Sequence, residues 1–196
     1  MTMDGLRVEP LTLNEVRQVY RAYMVHDFPR NERKSLGMIE SALQRGEYQC
    51  FGAKAGDEII AYAFFVRLRQ AERALCLFDY LAVRSEARGQ GIGSAFLRAL
   101  SDQVLDGADC VLLEVDDPDF AEDAEERALR ERRLHFYLKN GLRDTGLRAH
   151  VFGVQYRVLE IALHAPHTRE QARQVYEALY RSFLSPAQYA RMVETQ

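Results

Sequence analysis

The chain has 196 residues, 47% of them hydrophobic and 28% charged, with only 5 Pro and 12 Gly; this is the composition of a globular protein with its own core and excludes disordered, collagen-like and coiled-coil classes. A net charge of -3 offers no basic field to a phosphate backbone and disfavours general nucleic-acid binding. No stretch approaches the roughly 20 apolar residues that cross a bilayer, and the first residues lack the basic-then-apolar order of a leader. Cys50, Cys76 and Cys110 lie in apolar runs without metal-ligand spacing, and the histidines show none either. The expectation is a soluble protein of a reducing cytoplasm, with buried thiols and no metal.

In chain order, Leu6–Glu9 reads as a short strand ended by Pro10. Thr12 and Glu15 carry a capping-box spacing, which opens a helix with Leu13, Val16, Val19, Tyr20 and Tyr23 on its apolar face. Val25–Ser35 interrupts that pattern as a polar loop, because Pro29 restricts the residue before it. A second helix is predicted over about Lys34–Gln44, ending near Gly46. Tyr48–Ala53 and Glu58–Arg67 then form a hairpin across Gly56 and Asp57, and Ala74–Val83 continues an antiparallel meander.

A polar turn over Arg84–Gln90 leads into a helix from Gly91 to about Val104, with Phe96, Leu97, Leu100 and Val104 on one face. Cys110–Val115 is a nearly continuous apolar run, as in a strand covered on both faces. A long helix over Ala121 to about Lys139 stops at Gly141, and Leu142–Thr145 and Val151–Leu163 are two closing strands. Beyond His164, Thr168 and Gln171 cap a helix with Val175, Tyr176, Leu179 and Phe183 on one side, and Pro186 starts a last short helix. The expected fold is α/β: a mixed, mainly antiparallel central sheet flanked by helices over residues 1–163, with a C-terminal helical extension over 164–196. That extension serves either as a second layer on its own domain, the favoured reading, or as a homodimer contact.

The most specific stretch runs from Leu81 to Ser94, where Gly89, Gly91 and Gly93 crowd the handover from a strand to a helix. Glycines remove the side chains that would hold a phosphate away, and a helix N-terminus adds backbone N–H groups with partial positive charge. The dinucleotide fingerprint Gly-x-Gly-x-x-Gly fails here, because its last position falls on Ser94 or Phe96, and the P-loop fails for want of Gly-Lys-Ser/Thr.

Arg88-Gly89-Gln90-Gly91-Ile92-Gly93 resembles the acyl-coenzyme A loop of the GNAT superfamily of N-acetyltransferases, Gln/Arg-x-x-Gly-x-Gly/Ala, and the order of elements from Leu6 to Leu163 is similar to that family's. The resemblance implies acetyl-CoA as cosubstrate, with its pantetheine arm along Leu81, Ala82 and Val83 and its pyrophosphate on the backbone of Gly89, Gln90, Gly91, Ile92, Gly93 and Ser94, next to Arg88. Leu134–Leu142 resembles the family's Phe/Leu-Tyr-x-x-x-Gly-Phe segment, which puts Tyr137 in the role of the acid that protonates the departing thiolate; a core tyrosine is the plain alternative. Arg130 stands where many members have an asparagine that touches the cofactor, and it either approaches a phosphate or points to solvent.

An attacking amine must lose a proton, to a carboxylate or to water. Glu114, inside an apolar strand, is the candidate base, with Asp79 in the preceding strand as a second; an outward, solvated or paired carboxylate is the rival reading of each. The acidic run Asp116–Glu126 either steers a cationic amine or, more simply, solvates a helix start. Asp27, Phe28 and Glu32 lie in the segment that shapes the acceptor site in the resembling family, and a polar surface connection explains them equally well.

The combined reading is an N-acetyltransferase that moves an acetyl group to a primary amine of a small molecule or peptide by direct transfer, with a backbone N–H near Val83 steadying the oxyanion. Its rivals are a non-catalytic acyl-CoA sensor or interaction module and a transferase of longer acyl groups.

Overall fold

The computed structural model describes residues 7–196 except 31, 71–72, 104, 106, 162 and 164. Two compact units divide the chain: Met1–Arg67 with Phe78–Asp106, and Leu68–Leu77 with Gly107–Gln196.

The first unit begins with β1 (Arg7–Pro10) and the helical stretch α1 (Leu13–Val19), a π-helical turn (Tyr20–Met24) and α2 (Val25–Asp27); the predicted Leu6 lies outside the described residues. The capping box forms as spaced: the Glu15 N–H donates to the Thr12 hydroxyl and Glu15 Oε2 accepts from the Thr12 N–H at 2.8 Å. Val16 and Val19 are fully buried, whereas Leu13 is exposed. The helical stretch runs on to Asp27, into the predicted loop. Phe28, held extended at φ -131 and ψ 140 by the proline after it, ends the stretch.

After α3 (Leu36–Gln44), capped by Ser35, come β2 (Tyr48–Ala55), β3 (Glu58–Gln70) and β4 (Arg73–Val83). The β2–β3 hairpin turns at Gly56 and Asp57 as predicted, in the register Tyr48↔Val66 to Ala55↔Glu58. Pro10 sits at the end of edge strand β1, opposite Phe51, where a missing N–H is tolerated. Every residue from Ile59 to Val66 is buried, so β3 is covered on both faces. A single 3-10 turn (Ser85–Ala87) leads to α4 (Ile92–Gln103), which buries Phe96, Leu97 and Leu100; Val104 lies outside the described residues.

The second unit holds the parts of β3 and β4 that fall within Leu68–Leu77, together with β5 (Cys110–Asp116), α5 (Ala124–Lys139), β6 (Leu142–Val151), β7 (Val154–Ile161), α6 (Arg169–Phe183), α7 (Pro186–Met192) and β8 (Val193–Thr195). α5 starts three residues later than predicted, because Pro118–Phe120 forms a separate 3-10 turn capped by Asp117 and Asp123 caps the helix itself. The predicted break between Thr145 and Val151 is instead continuous strand. Gly146, at φ 79, sits where the β6–β7 register shifts between Asp144 and Arg148, so the glycine marks a bulge rather than a stop. The reversal occurs at Phe152 and Gly153, both at positive φ as in the turns that suit a twisted hairpin.

α6 forms the predicted capping box of Thr168 with Gln171 and packs on β5 and β6 of its own unit. It buries Ala172, Val175, Tyr176, Leu179 and Tyr180; Phe183 is only half-buried. β8 is additional to the predicted elements: Val151↔Val193 and the paired backbone bonds between Arg148 and Gln196 add it to β6. The strands follow the order β1-β2-β3-β4-β5-β7-β6-β8 in a mostly antiparallel sheet flanked by helices. All three cysteines are buried, and among the described residues no helix is long and apolar enough to cross a membrane.

Candidate functional site

The glycine turn takes the form that its sequence requires. β4 ends at Val83, whose neighbour Arg84 donates its N–H to the Ile60 carbonyl at 2.9 Å. Gly89 and Gly91 both stand in the left-handed region, at φ 75 and φ 77, where any other residue is strained. An added Cβ at either would meet nothing within 4 Å, so open space lies where a ligand would approach. The Ala95 N–H to Gly91 carbonyl bond, 3.1 Å, opens α4. The N–H groups of Ile92, Gly93 and Ser94 therefore belong to the first turn, which has no helical carbonyl behind it, and with the positive end of the helix they form the kind of surface that suits an anion. Buried Ile92 anchors that turn, and Gly89, Gln90 and Gly91 stay exposed. At the strand end, Leu81, Ala82 and Val83 are half-buried.

Arg88 is exposed but engaged. Its Nε donates to the Val83 carbonyl at 2.8 Å and its Nη2 to Asp27 Oδ1 at 3.0 Å, while the Tyr62 hydroxyl donates to Asp27 Oδ2 at 2.8 Å. Asp27 also lines a cleft of about 260 Å³ with Tyr23, His26, Arg84 and Glu86. Phe28 packs edge-on against Tyr80, 5.0 Å between ring centroids, and the Tyr80 hydroxyl donates to the Glu32 carbonyl and accepts the Lys34 N–H. Asp27, Phe28 and Glu32 are thus joined to the strands through these contacts, a partnership that local spacing does not reveal.

Asp79 is paired. Lys34 Nζ lies 2.6 and 2.7 Å from its two oxygens and the Tyr48 hydroxyl donates to Oδ2. Burial, followed by the Asp79 charge, pushes the Tyr48 hydroxyl well above the ordinary phenol range. This is the ion-paired alternative for Asp79, with a lysine cation where a proton would have to arrive.

In the second unit, Glu114 Oε1 accepts from two α6 phenols, Tyr176 and, at 2.6 Å, Tyr180. Tyr176 is pushed well above the ordinary range by burial first and the Glu114 charge second, so it remains a donor. Spacing alone puts Tyr176 in an apolar stripe; two phenols at i and i+4 on that buried face are the signal that an acceptor must meet them. Tyr137, on α5, is buried, and burial pushes it up to about 12, with Arg133 lowering and Asp116 raising it. No hydrogen bond joins its hydroxyl to another described side chain.

Arg130 donates to the Asp117 carbonyl at 2.9 Å and to Glu126 at 2.8 Å, rather than lying loose in solvent. The acidic run is widely partnered: Asp117 is buried against Arg157 and Arg148, Asp116 meets Arg133, and Asp123 caps α5. Helix capping and ion pairing account for these charges better than long-range attraction of an amine.

Sequence spacing missed the convergence of Cys110, Glu160 and His167, whose ligand atoms lie within 4.8 Å of one another. Glu160 is 2% exposed and already accepts from Arg143 at 2.6 Å and from the His167 ring and backbone. A guanidinium in direct contact with the carboxylate supplies the compensating cation, so the cluster reads as a buried ion pair closing the junction of β6, β7 and α6.

Residues 46–143 match the family model of the acetyltransferase (GNAT) domain. Solved structures share the fold. A Bacteroides thetaiotaomicron protein assigned to the GNAT family of acetyltransferases is 19% identical, with 90% of this chain and 94% of that one aligned at a TM-score of 0.62. A GNAT family acetyltransferase from Elizabethkingia anophelis, solved with acetyl-CoA bound, is 17% identical over 82% of this chain and 99% of that one, TM-score 0.56. The ribosomal-protein-S18-alanine N-acetyltransferase from Escherichia coli is 18% identical over 83% and 97%, TM-score 0.57. Comparison with the curated proteins finds no match to the sequence.

Proposed function

The chain belongs to the GNAT acetyltransferase family, its domain model spanning residues 46–143, and from that premise we propose that it transfers an acetyl group from acetyl-CoA directly to a primary amine of a small molecule or peptide. The observation that carries the reading is the turn at Gly89–Ser94: two left-handed glycines, open space beside them and the N–H groups of a helix start suit a pyrophosphate. Backbone groups of Leu81, Ala82 and Val83 would take the pantetheine amides, and an N–H near Val83 would steady the developing oxyanion. Three buried thiols, outside any disulfide, favour a reducing cytoplasm as its compartment.

The amine attacks the thioester carbonyl once it has lost its proton, the carbon–sulfur bond breaks, and the thiolate takes a proton. Tyr137 suits that last step because a phenol held up to about 12 carries its proton throughout the neutral range and its hydroxyl is not committed to a described neighbour. Glu114 is the carboxylate proposed to receive the amine's proton, directly or through water. The phenols of Tyr176 and Tyr180 hold it in place, so the C-terminal extension would position the base.

Calorimetric titration with acetyl-CoA, using NADH as control and Gly91→Glu as variant, tests the turn. Wild type should bind acetyl-CoA alone, and the variant, with a carboxylate in the turn, should not bind it. Release of CoA thiol in a panel of amines then separates an enzyme from a sensor that binds without turnover. Absence of acetyl-CoA binding by the wild type would withdraw the assignment.

A further inference from the structure

Asp27 is oddly placed. It is the last residue of α2, where the negative end of a helix disfavours a carboxylate, yet its side chain is only 14% exposed and both of its oxygens are engaged, one by Arg88 and one by the fully buried Tyr62 of β3. The exposed Arg88 pair would contribute little stability by itself. Its geometry matters more. The same guanidinium that meets Asp27 also holds the carbonyl of Val83, the last residue of β4, and Arg88 immediately precedes Gly89. One planar group thus ties the helix end to the strand end, from the residue just before the turn.

The turn needs such a brace. Its glycines give it freedom in the unfolded and free states that a bound pyrophosphate would have to remove, and any device that holds the turn beforehand lowers that cost. We infer that Asp27 is a positioning residue for acetyl-CoA binding: held by Tyr62, it locks Arg88 onto the Val83 carbonyl and so keeps the Gly89–Ser94 turn in its ligand-ready shape. The inference rests on the reading of that turn as the pyrophosphate site. It also sets Arg88 to work through the backbone of the site rather than as a free cation awaiting phosphate.

Charge and position make opposite demands, which allows a clean test. Asp27 has the wrong sign for a neighbour of pyrophosphate, so simple electrostatics expects Asp27→Asn to bind acetyl-CoA more tightly. Positioning expects weaker binding. Affinity is measured by calorimetry for wild type, Asp27→Asn, Tyr62→Phe, Arg88→Gln and the double variant Asp27→Asn/Arg88→Gln, alongside KM and kcat for acetyl-CoA and hydrogen exchange of the turn amides in the free protein.

The expected result is about fivefold weaker binding for Asp27→Asn, the upper range for one exposed pair, with KM raised to match, kcat little changed and faster exchange at Gly89–Ser94. In the Arg88→Gln background the Asp27 change should add nothing, because its effect passes through Arg88. Equal or tighter binding by Asp27→Asn overturns the inference while leaving the pyrophosphate site standing. If wild type itself does not bind acetyl-CoA, the proposed function fails and exchange alone decides: faster turn exchange in Asp27→Asn keeps the brace, unchanged exchange removes it. Should Asp27→Asn not fold, Asp27→Glu, which displaces the carboxylate by one methylene, replaces it under the same criteria.

Discussion

The glycine turn and the carboxylates proposed or considered for proton transfer are built on different principles. The turn works through its own backbone: Gly89 and Gly91 adopt the conformations their lack of a Cβ permits, and the start of α4 supplies the N–H groups. The carboxylates depend on distant side chains. Asp79 is defined by Lys34 and Tyr48, and Glu114 by Tyr176 and Tyr180; Glu160, a structural carboxylate, is likewise held by Arg143 and His167. A local motif therefore predicts the conformation of the turn proposed to take the pyrophosphate, whereas the same local reading of a carboxylate leaves base, ion pair and structural anchor undistinguished.

The largest effect should come from Tyr137, which is both motif-borne and uncommitted. Tyr137→Phe is expected to lower kcat about 100-fold, the low end for loss of a general acid, with acetyl-CoA affinity unchanged. Steady-state kinetics and calorimetry together check it. Unchanged turnover at several pH values would reduce Tyr137 to a core tyrosine.

Next in size are the carboxylates. Glu114→Ala and Asp79→Ala each strand buried phenol or ammonium partners and should cost about 2 kcal/mol of stability, measured by denaturant unfolding. The two should then part: Glu114→Ala also slows transfer, whereas Asp79→Ala leaves it near wild type once folded protein is corrected for. Equal slowing by both would erase the distinction between proton acceptor and ion pair.

Gly91→Ala sharpens the contrast from the other side. Alanine in the left-handed region costs about 1 kcal/mol, and since its Cβ meets no neighbour the cost is conformational alone. Weaker acetyl-CoA binding with a Tm shift of only a few degrees, read by thermal unfolding, is the expected pattern.

The same division explains what could be read beforehand. Capping boxes at Thr12 and Thr168, the Gly56 hairpin and the glycine turn are short-range, and each stands where its spacing put it. The extension of the first helical stretch to Asp27, the continuity of β6 through Gly146 and the addition of β8 are decided by packing and pairing that neighbours in sequence do not encode. A glycine reads alike as a strand stop or a bulge until its partner strand is known. For the candidate site, the motif picks out the turn and Tyr137 as proposals, but the Asp27–Arg88 contact and the tyrosine clasp on Glu114 join residues far apart in the chain.

The smallest expected effect concerns alkaline pH. Tyr137 is raised from 10.0 to about 12 chiefly because burial penalises the phenolate. Below pH 10 the phenol is neutral in folded and unfolded chains alike, so its contribution to stability is full and constant there. Above pH 10 the unfolded chain ionises first, and stability falls as pH rises toward about 12. Denaturant unfolding of wild type and Tyr137→Phe at steps between pH 9 and 11.5 should therefore show wild type losing stability faster than the variant, the shared losses from Tyr48 and Tyr176 cancelling in the difference. For the reaction, the same shift predicts that Tyr137 causes no fall in turnover between pH 7 and 10. A decline near pH 8 to 9 abolished by Tyr137→Phe would mean that a neighbouring cation outweighs burial, and the phenol would then be poised to lose its proton rather than to deliver it.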